Sequence, residues 1–389
     1  MHRIGEEEIE AVARVIRSKN LFRVNTGNKE TENFEKEWAQ KCGTKYSLCV
    51  SGGTGALACA LAGLEIGPGD EVIVPGYTFM ATATAVLMVG AIPVIAEIDD
   101  TMTLDPDDFE RKITGDVKAV IPVHIMGFPC NMDKINTIAA KNGVKVLEDA
   151  CQAVGGSYKG KRLGSIGHAG AYSFNYYKNI SAGEGGGVVT DDRKVYERAL
   201  LYHDAGATFR PFISEIQETP FIGSQFRVSE ITGAILRVQL QRLDGILADL
   251  RSLKAFLAEK VQGHKNITLT RSNDPRGDCG TTLSFTFPNE EKARAFAKDV
   301  SGSLPIDSGK HVYSNWDPVL NKKGGHHMDM NPFYFKQNSG LRSNYTKDMC
   351  PVTLDILKRT VYVSINIQWT QEELQTKANQ ILAAADRLG

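Results

Sequence analysis

An α/β fold with a mostly parallel, doubly wound sheet, followed by a smaller α+β domain, is what this chain predicts. Three observations carry that reading. Between residues 45 and 200, short β-branched apolar runs alternate with helical periods, and such runs read as strands buried on both faces between covering helices. Residues 229–260 lack proline and repeat Ile, Leu and Val at helical spacing. Beyond Ile267 the texture changes to half-exposed alternating strands and amphipathic helices.

In chain order, strands are expected at 46–50, 71–75, 92–96, 119–123, 145–147, 169–174 and 187–190, with helices at 55–64, 81–89, 106–112 and 132–142. The C-terminal part offers an alternating strand at 281–287 (Thr-Thr-Leu-Ser-Phe-Thr-Phe), a helix at 289–300, a strand at 361–367 and a closing helix at 370–388. The division is a large domain over 1–245, opened by a helical arm, and a small domain over 246–389, joined by a long helix near 245. Residues 317–343 are rich in Gly, His, Asn, Lys and Met without a period, and read as a long loop, functional or mobile.

The chain has 45 basic and 46 acidic residues, with no basic cluster, which argues against a nucleic-acid partner. Its seven cysteines (42, 49, 59, 130, 151, 279 and 350) form no C-x-x-C pair and no quartet with histidine. They read as reduced core residues of a cytoplasmic protein, and no metal site is expected. Met1-His-Arg-Ile-Gly-Glu-Glu-Glu lacks an apolar signal core, and no apolar run reaches membrane-spanning length.

Tyr172-Ser-Phe-Asn-Tyr-Tyr-Lys178-Asn-Ile-Ser-Ala-Gly-Glu-Gly-Gly186 sets one lysine between an apolar strand and a glycine run, and Val144-Lys-Val-Leu-Glu-Asp149 ends another strand in acid. Strand-end acid plus strand-end lysine is the pairing that pyridoxal phosphate chemistry needs: the lysine forms the Schiff base, the acid keeps the pyridine nitrogen protonated. Taken alone, Asp149 reads equally as a helix cap and Lys178 as a solvated lysine. Val50-Ser-Gly-Gly-Thr-Gly-Ala-Leu57 leaves a strand and opens a helix, whose free N–H groups attract anions. Gly53-x-Gly55-x-x-Ala58 also satisfies a dinucleotide fingerprint, which makes a NAD-dependent oxidoreductase the alternative. That reading needs an acid at the end of the next strand, and 72–75 ends without one. A single phosphate on Ser51, Gly53 and Thr54 fits better, with a ligand-free tight turn as the bland option. Phe79, in Pro75-Gly-Tyr-Thr-Phe-Met-Ala-Thr82, can stack on a planar ring or serve as core.

Read in order, these features resemble the DegT/DnrJ/EryC1/StrS family of sugar aminotransferases, pyridoxal-phosphate enzymes of fold type I. The resemblance rests on Gly69-Asp-Glu-Val-Ile-Val-Pro75, Thr78-Phe79, Glu148-Asp149-Ala-Cys-Gln152, Gly183-Glu-Gly-Gly186 and Phe226-Arg-Val-Ser-Glu230. It implies that Lys178 carries the Schiff base and moves protons, and that Asp149 pairs with the ring nitrogen. Phe79 then stacks on the ring, Gln152 meets its hydroxyl, and Gly53, Thr54 and Ser173 hold the phosphate. It further implies a homodimer with shared active sites. Here Ser224-Gln225 stands where the family usually has asparagine, so Gln225 is the candidate for the contact with the partner's phosphate.

The implied reaction is a ping-pong transfer from L-glutamate or L-glutamine, through pyridoxamine phosphate, to a keto sugar. Dehydratases of the family carry histidine at the lysine position, so Lys178 favours transamination. The acceptors the resemblance offers are nucleotide-linked keto sugars, keto cyclitols and an oxidised 3-deoxy-octulosonate, the last favoured by the run from Glu148 to Gly160. Candidate substrate contacts are His203, Asp204, His311, Tyr313, Asn315, Trp316, His326 and His327, each with loop surface or packing as the competing role. Arg227 either binds the donor carboxylate or pairs with an acid such as Glu230.

Overall fold

The computed structural model of the protein describes residues 3–24, 27 and 29–389. Met1 and His2, part of the N-terminal stretch above, lie outside the described residues. The strands are β1 (Tyr46–Val50), β2 (Glu71–Pro75), β3 (Ile92–Ala96), β4 (Val117–Val120), β5 (Lys145–Asp149), β6 (Ser157–Tyr158), β7 (Lys161–Arg162), β8 (Ala169–Ser173), β9 (Gly186–Thr190), β10 (Thr268–Leu269), β11 (Thr282–Thr286) and β12 (Thr360–Ser364). The helices are α1 (Glu6–Ser18), α2 (Glu30–Cys42), α3 (Gly53–Gly63), α4 (Ala81–Met88), α5 (Pro106–Arg111), α6 (Met132–Asn142), α7 (Arg193–His203), α8 (Glu230–Val261), α9 (Glu290–Val300), α10 (Asp317–Leu320), α11 (Pro351–Lys358) and α12 (Gln371–Asp386).

The apolar runs pair as a seven-stranded sheet in the order β1-β9-β8-β5-β4-β2-β3. Parallel ladders join β8, β5, β4, β2 and β3, whereas β9 runs antiparallel to both β8 and β1. The connection from β8 to β9, residues 174–185, holds no helix, and a parallel crossover usually requires one. The strands are buried on both faces: one apolar cluster takes α3, α4 and their sheet neighbours, the other takes Phe34, Trp38, α6 and α8.

That second cluster continues into the C-terminal half, where β10-β11-β12 form a small antiparallel sheet packed by α9 and α12. The continuity comes from α8, which is capped by the Ser229 side chain at its N-terminus and runs unbroken past residue 245. Its Ile246, Leu247 and Leu250 are buried among residues of both halves.

The 317–343 stretch is more structured than its composition predicts. It holds α10 and three 3₁₀ turns, at Met328–Met330, Pro332–Tyr334 and Lys336–Asn338. Two buried asparagines replace the missing apolar period. Asn331 Nδ2 donates to the Lys322 carbonyl at 2.7 Å, while Asn338 Nδ2 donates to the Gly90 carbonyl at 2.9 Å and its Oδ1 accepts from Gly69 N–H at 2.6 Å. No helix among the described residues is long and apolar enough to cross a membrane.

Candidate active site

The carboxyl ends of the parallel strands open onto a cavity of about 960 Å³, as expected for an open α/β sheet. The turn after β1 brings Ser51, Gly53 and Thr54 to it, the segment after β2 brings Phe79, β5 brings Asp149, β8 brings Ser173, and the β8–β9 connection brings Lys178. Segments of the C-terminal half close the other side with Thr281, His311, Asn366 and Gln368.

The pleat of β5 separates two adjacent acids. Glu148 accepts from His124 Nε2 at 3.0 Å and from the backbone N–H groups of Gly164, Ile166 and Gly167 at 2.8, 2.5 and 2.6 Å. It is wholly consumed by structure. Asp149, 4 % exposed, accepts from Thr82 Oγ1 at 2.8 Å and from Cys151 N–H at 3.1 Å, and lines the cavity. A carboxylate can accept more than two hydrogen bonds, so acceptor capacity remains for a ligand.

Lys178 is fixed at its backbone, where its N–H donates to the Asn175 carbonyl at 3.1 Å. Among the described residues its side chain makes no hydrogen bond or ion pair. The ammonium charge reaches two neighbours. Burial pushes the Cys151 thiol up and the Asp149 charge adds to that, while Lys178 pulls the other way. Burial pushes His311 down, its contact with the Ser308 carbonyl opposes this, and Lys178 lowers it further.

The anion end of the cavity is the start of α3, which has no side-chain cap. A Cβ on Gly53 would stand 2.9 Å from Cys151 Sγ and 3.0 Å from Ser173 Cβ, so only glycine leaves this cradle open. Phe79 is 44 % exposed, with its ring centroid 5.3 Å from that of His311 and the planes at 54°. Gln152 Oε1 accepts from Met126 N–H at 3.1 Å, leaving the amide NH₂ as its unengaged end.

The structure therefore brings Ser51, Gly53, Thr54, Phe79, Asp149, Gln152, Ser173, Lys178 and His311 together around one space. The other expected substrate contacts are placed elsewhere. His203 is fully buried, with Nε2 2.6 Å from Arg23 Nη1 and Nδ1 2.5 Å from the Leu200 carbonyl. Tyr313 and Trp316 are core residues: the Tyr313 hydroxyl donates to the Lys347 carbonyl at 2.9 Å, and Trp316 Nε1 donates to the Lys310 carbonyl at 2.8 Å. Arg227 pairs with buried Asp204, as does Arg210, and not with Glu230, which accepts from the N–H groups of Glu30 and Thr31. Gln225 is exposed, its backbone bridged to Asp204, and does not line this chain's cavity. Asn315, His326 and His327 lie outside the cavity lining as well. Sequence reasoning missed Thr82, Asn175, Asn179, Thr281, Asn366 and Gln368, all of which line it. Thr82 carries one local sign, its position four residues beyond Thr78 at a helix start.

The DegT/DnrJ/EryC1/StrS aminotransferase family model matches residues 2–381. The chain belongs to this family. Among curated relatives, it is 38 % identical over 246 residues to the erythromycin biosynthesis sensory transduction protein EryC1 of Saccharopolyspora erythraea; the match covers 63 % of this chain and 66 % of that relative, just under two thirds of its length. Among solved structures, a 3-amino-5-hydroxybenzoic acid synthase superposes with TM-score 0.80 at 27 % identity, covering 99 % of this chain and 97 % of that one. DesV of S. venezuelae, solved in complex with a ketimine intermediate, gives TM-score 0.76 at 27 % identity over 98 % and 95 % of the two chains. Members of the DegT/DnrJ/EryC1/StrS family are pyridoxal-phosphate-dependent, and the α/β architecture described above is the fold type I arrangement. The residues present fit that cofactor: an open glycine cradle at a helix start, an unengaged lysine, a strand-end carboxylate and an exposed aromatic ring. The nicotinamide alternative finds no support. The strand feeding the glycine loop is the sheet edge β1, paired antiparallel with β9, and β2 ends at Pro75 without an acid.

Proposed function

We propose that this aminotransferase moves an amino group from L-glutamate or L-glutamine to a keto sugar or sugar-like ketone in two half-reactions. The observation that carries it is the shared cavity of Lys178, whose amine is unengaged, and Asp149, whose carboxylate has acceptor capacity to spare. Pyridoxal phosphate, when bound, supplies an aldehyde to hold the amino group and a ring that takes up the electrons released at the donor's Cα. The chain's own residues do the rest. Lys178 holds the cofactor and then moves the proton from the donor's Cα, a role worth about 10²–10⁴ in rate. Asp149 holds a proton on the ring nitrogen by its negative charge. Gly53, Thr54, Ser51 and Ser173 receive the phosphate, Phe79 packs on the ring, and the Gln152 NH₂ reaches the ring hydroxyl.

On the acceptor side, Asn366 and Gln368 offer neutral hydrogen-bonding groups suited to hydroxyls, the Thr281 hydroxyl, which donates to the Met126 carbonyl at 2.8 Å, keeps only its lone pairs, and His311 stands beside Phe79. The acceptor classes are a nucleotide-linked keto sugar, an oxidised 3-deoxy-octulosonate and a keto cyclitol. A homodimer completes the site in this reading, with Gln225 offered to the partner's cavity. The seven free cysteines suit a reducing compartment such as the cytoplasm. The test is a single-turnover screen: protein loaded with the amine form of the cofactor is mixed with each ketone, and recovery of the aldehyde spectrum is followed. A keto sugar or cyclitol should restore it. Recovery with simple 2-oxo acids alone would refute the sugar assignment.

A further inference from the structure

Asp149 is reached by a hydroxyl chain that none of the roles above uses. Thr82 Oγ1 lies 2.8 Å from Asp149 Oδ2, and Thr78 Oγ1 lies 2.8 Å from Thr82 Oγ1. Both threonines are 1 % exposed, so water does not compete for these contacts. The direction of the chain follows from the chemistry. A charged carboxylate can only accept, so the single Thr82 proton points at Asp149, and the Thr82 oxygen is left to accept the Thr78 proton. Both hydroxyls are therefore polarised towards the carboxylate, and such chains strengthen each member.

A helical threonine commonly bonds back to the carbonyl four residues earlier, and Thr84 in the same helix does so, to Met80 at 3.0 Å. Thr82 does not; its proton goes to Asp149. The origin of the chain is also held. Thr78 N–H donates to the His311 carbonyl and Met80 N–H to the Lys310 carbonyl, each at 2.9 Å, so the C-terminal half pins the backbone on both sides of Phe79.

We propose that Thr78 and Thr82 are positioning residues for the reaction, forming a one-way donor relay that aims the Asp149 carboxylate at its ligand. The inference rests on the cofactor reading above. Removing a hydrogen bond to a charged group weakens what that group does by about ten- to a hundredfold. Thr82→Val, similar in size but without the hydroxyl, should lower kcat by about that factor with KM for the donor nearly unchanged, and should shift the pH dependence of the visible absorption band. Thr82→Ser should restore most of both. Thr78→Val should cost about two- to tenfold alone, and much less when added to Thr82→Val, because the chain is then already cut.

The proposal is overturned if Thr82→Val matches the parent in kcat and band, or if the Thr78→Val factor is undiminished in the double variant. Should Thr82→Val fail to fold, Thr78→Val and Thr82→Ser decide: a Thr78→Val enzyme with an unchanged band and rate overturns the relay, and a shifted one supports it. Failure of the cofactor reading looks different, since the parent protein would then show no cofactor band at all.

Discussion

At the scale of the residue, what separates a functional side chain from a structural one here is whether its polar atoms are already engaged. Among the described residues the Lys178 amine and the Gln152 NH₂ have no partner, whereas Glu148, one residue from Asp149, has four donors and nothing to spare. His203 shows the same contrast. A guanidinium N–H can only donate, so Arg23 fixes a lone pair on Nε2, and the Leu200 carbonyl fixes the proton on Nδ1. Burial, reinforced by the Arg23 charge, pushes this imidazole down from 6.5 to about 3. Between those values the unfolded chain binds a proton that the native one refuses, so native stability falls as pH drops below 6.5. His203→Gln should be less stable than the parent near neutrality, yet lose stability less steeply between about pH 6.5 and pH 4. Urea unfolding at several pH values measures this, and an unchanged slope would remove His203 as the source.

At the scale of the element, the start of α3 does two jobs that conflict. Alanine at Gly53 would improve helix propensity by roughly 0.5–1 kcal/mol. Its Cβ would also press on Cys151 Sγ and Ser173 Cβ, at 2.9 and 3.0 Å, and crowding of that kind costs about 1–3 kcal/mol. Crowding wins, because Ser173 Cβ sits close to the backbone of a buried strand and cannot swing aside. Gly53→Ala should therefore fold with slightly reduced stability but hold pyridoxal phosphate at least about tenfold more weakly, by equilibrium dialysis. Undiminished affinity would contradict the cradle.

Elements also show what the chain's local signals could and could not convey. The glycine loop, the acid of β5 and the lysine after β8 are each marked locally, as a turn or a strand end, and all three reach the cavity. Strand direction is not marked residue by residue, so β9 read as one more strand of a mostly parallel set, although its helix-free connection to β8 accounts for the reversal. Tyr313, Trp316 and His203 misled for a different reason: their polar tips suit a ligand, and only the folded backbone shows that the carbonyls of Lys347, Lys310 and Leu200 occupy them.

At the scale of the whole molecule, α8 and a continuous apolar cluster tie the small C-terminal sheet to the large one, and the cavity lies where the two halves face each other. Side chains from both halves reach it, yet among the described residues Lys178 is the sole lysine or arginine in its lining, set against Asp149 and Glu184. Backbone N–H groups at the start of α3 and the nearby hydroxyls are what this lining offers an anion. In the proposed reaction Lys178 holds pyridoxal phosphate here and passes protons to and from it. The most direct measurement is the visible absorption spectrum of protein reconstituted with pyridoxal phosphate, before and after L-glutamate. The parent should show a band in the visible that L-glutamate bleaches, and Lys178→Ala should lack the Schiff-base band and all transaminase activity. A Lys178→Ala protein with the parent's band, still bleached by L-glutamate, would contradict it.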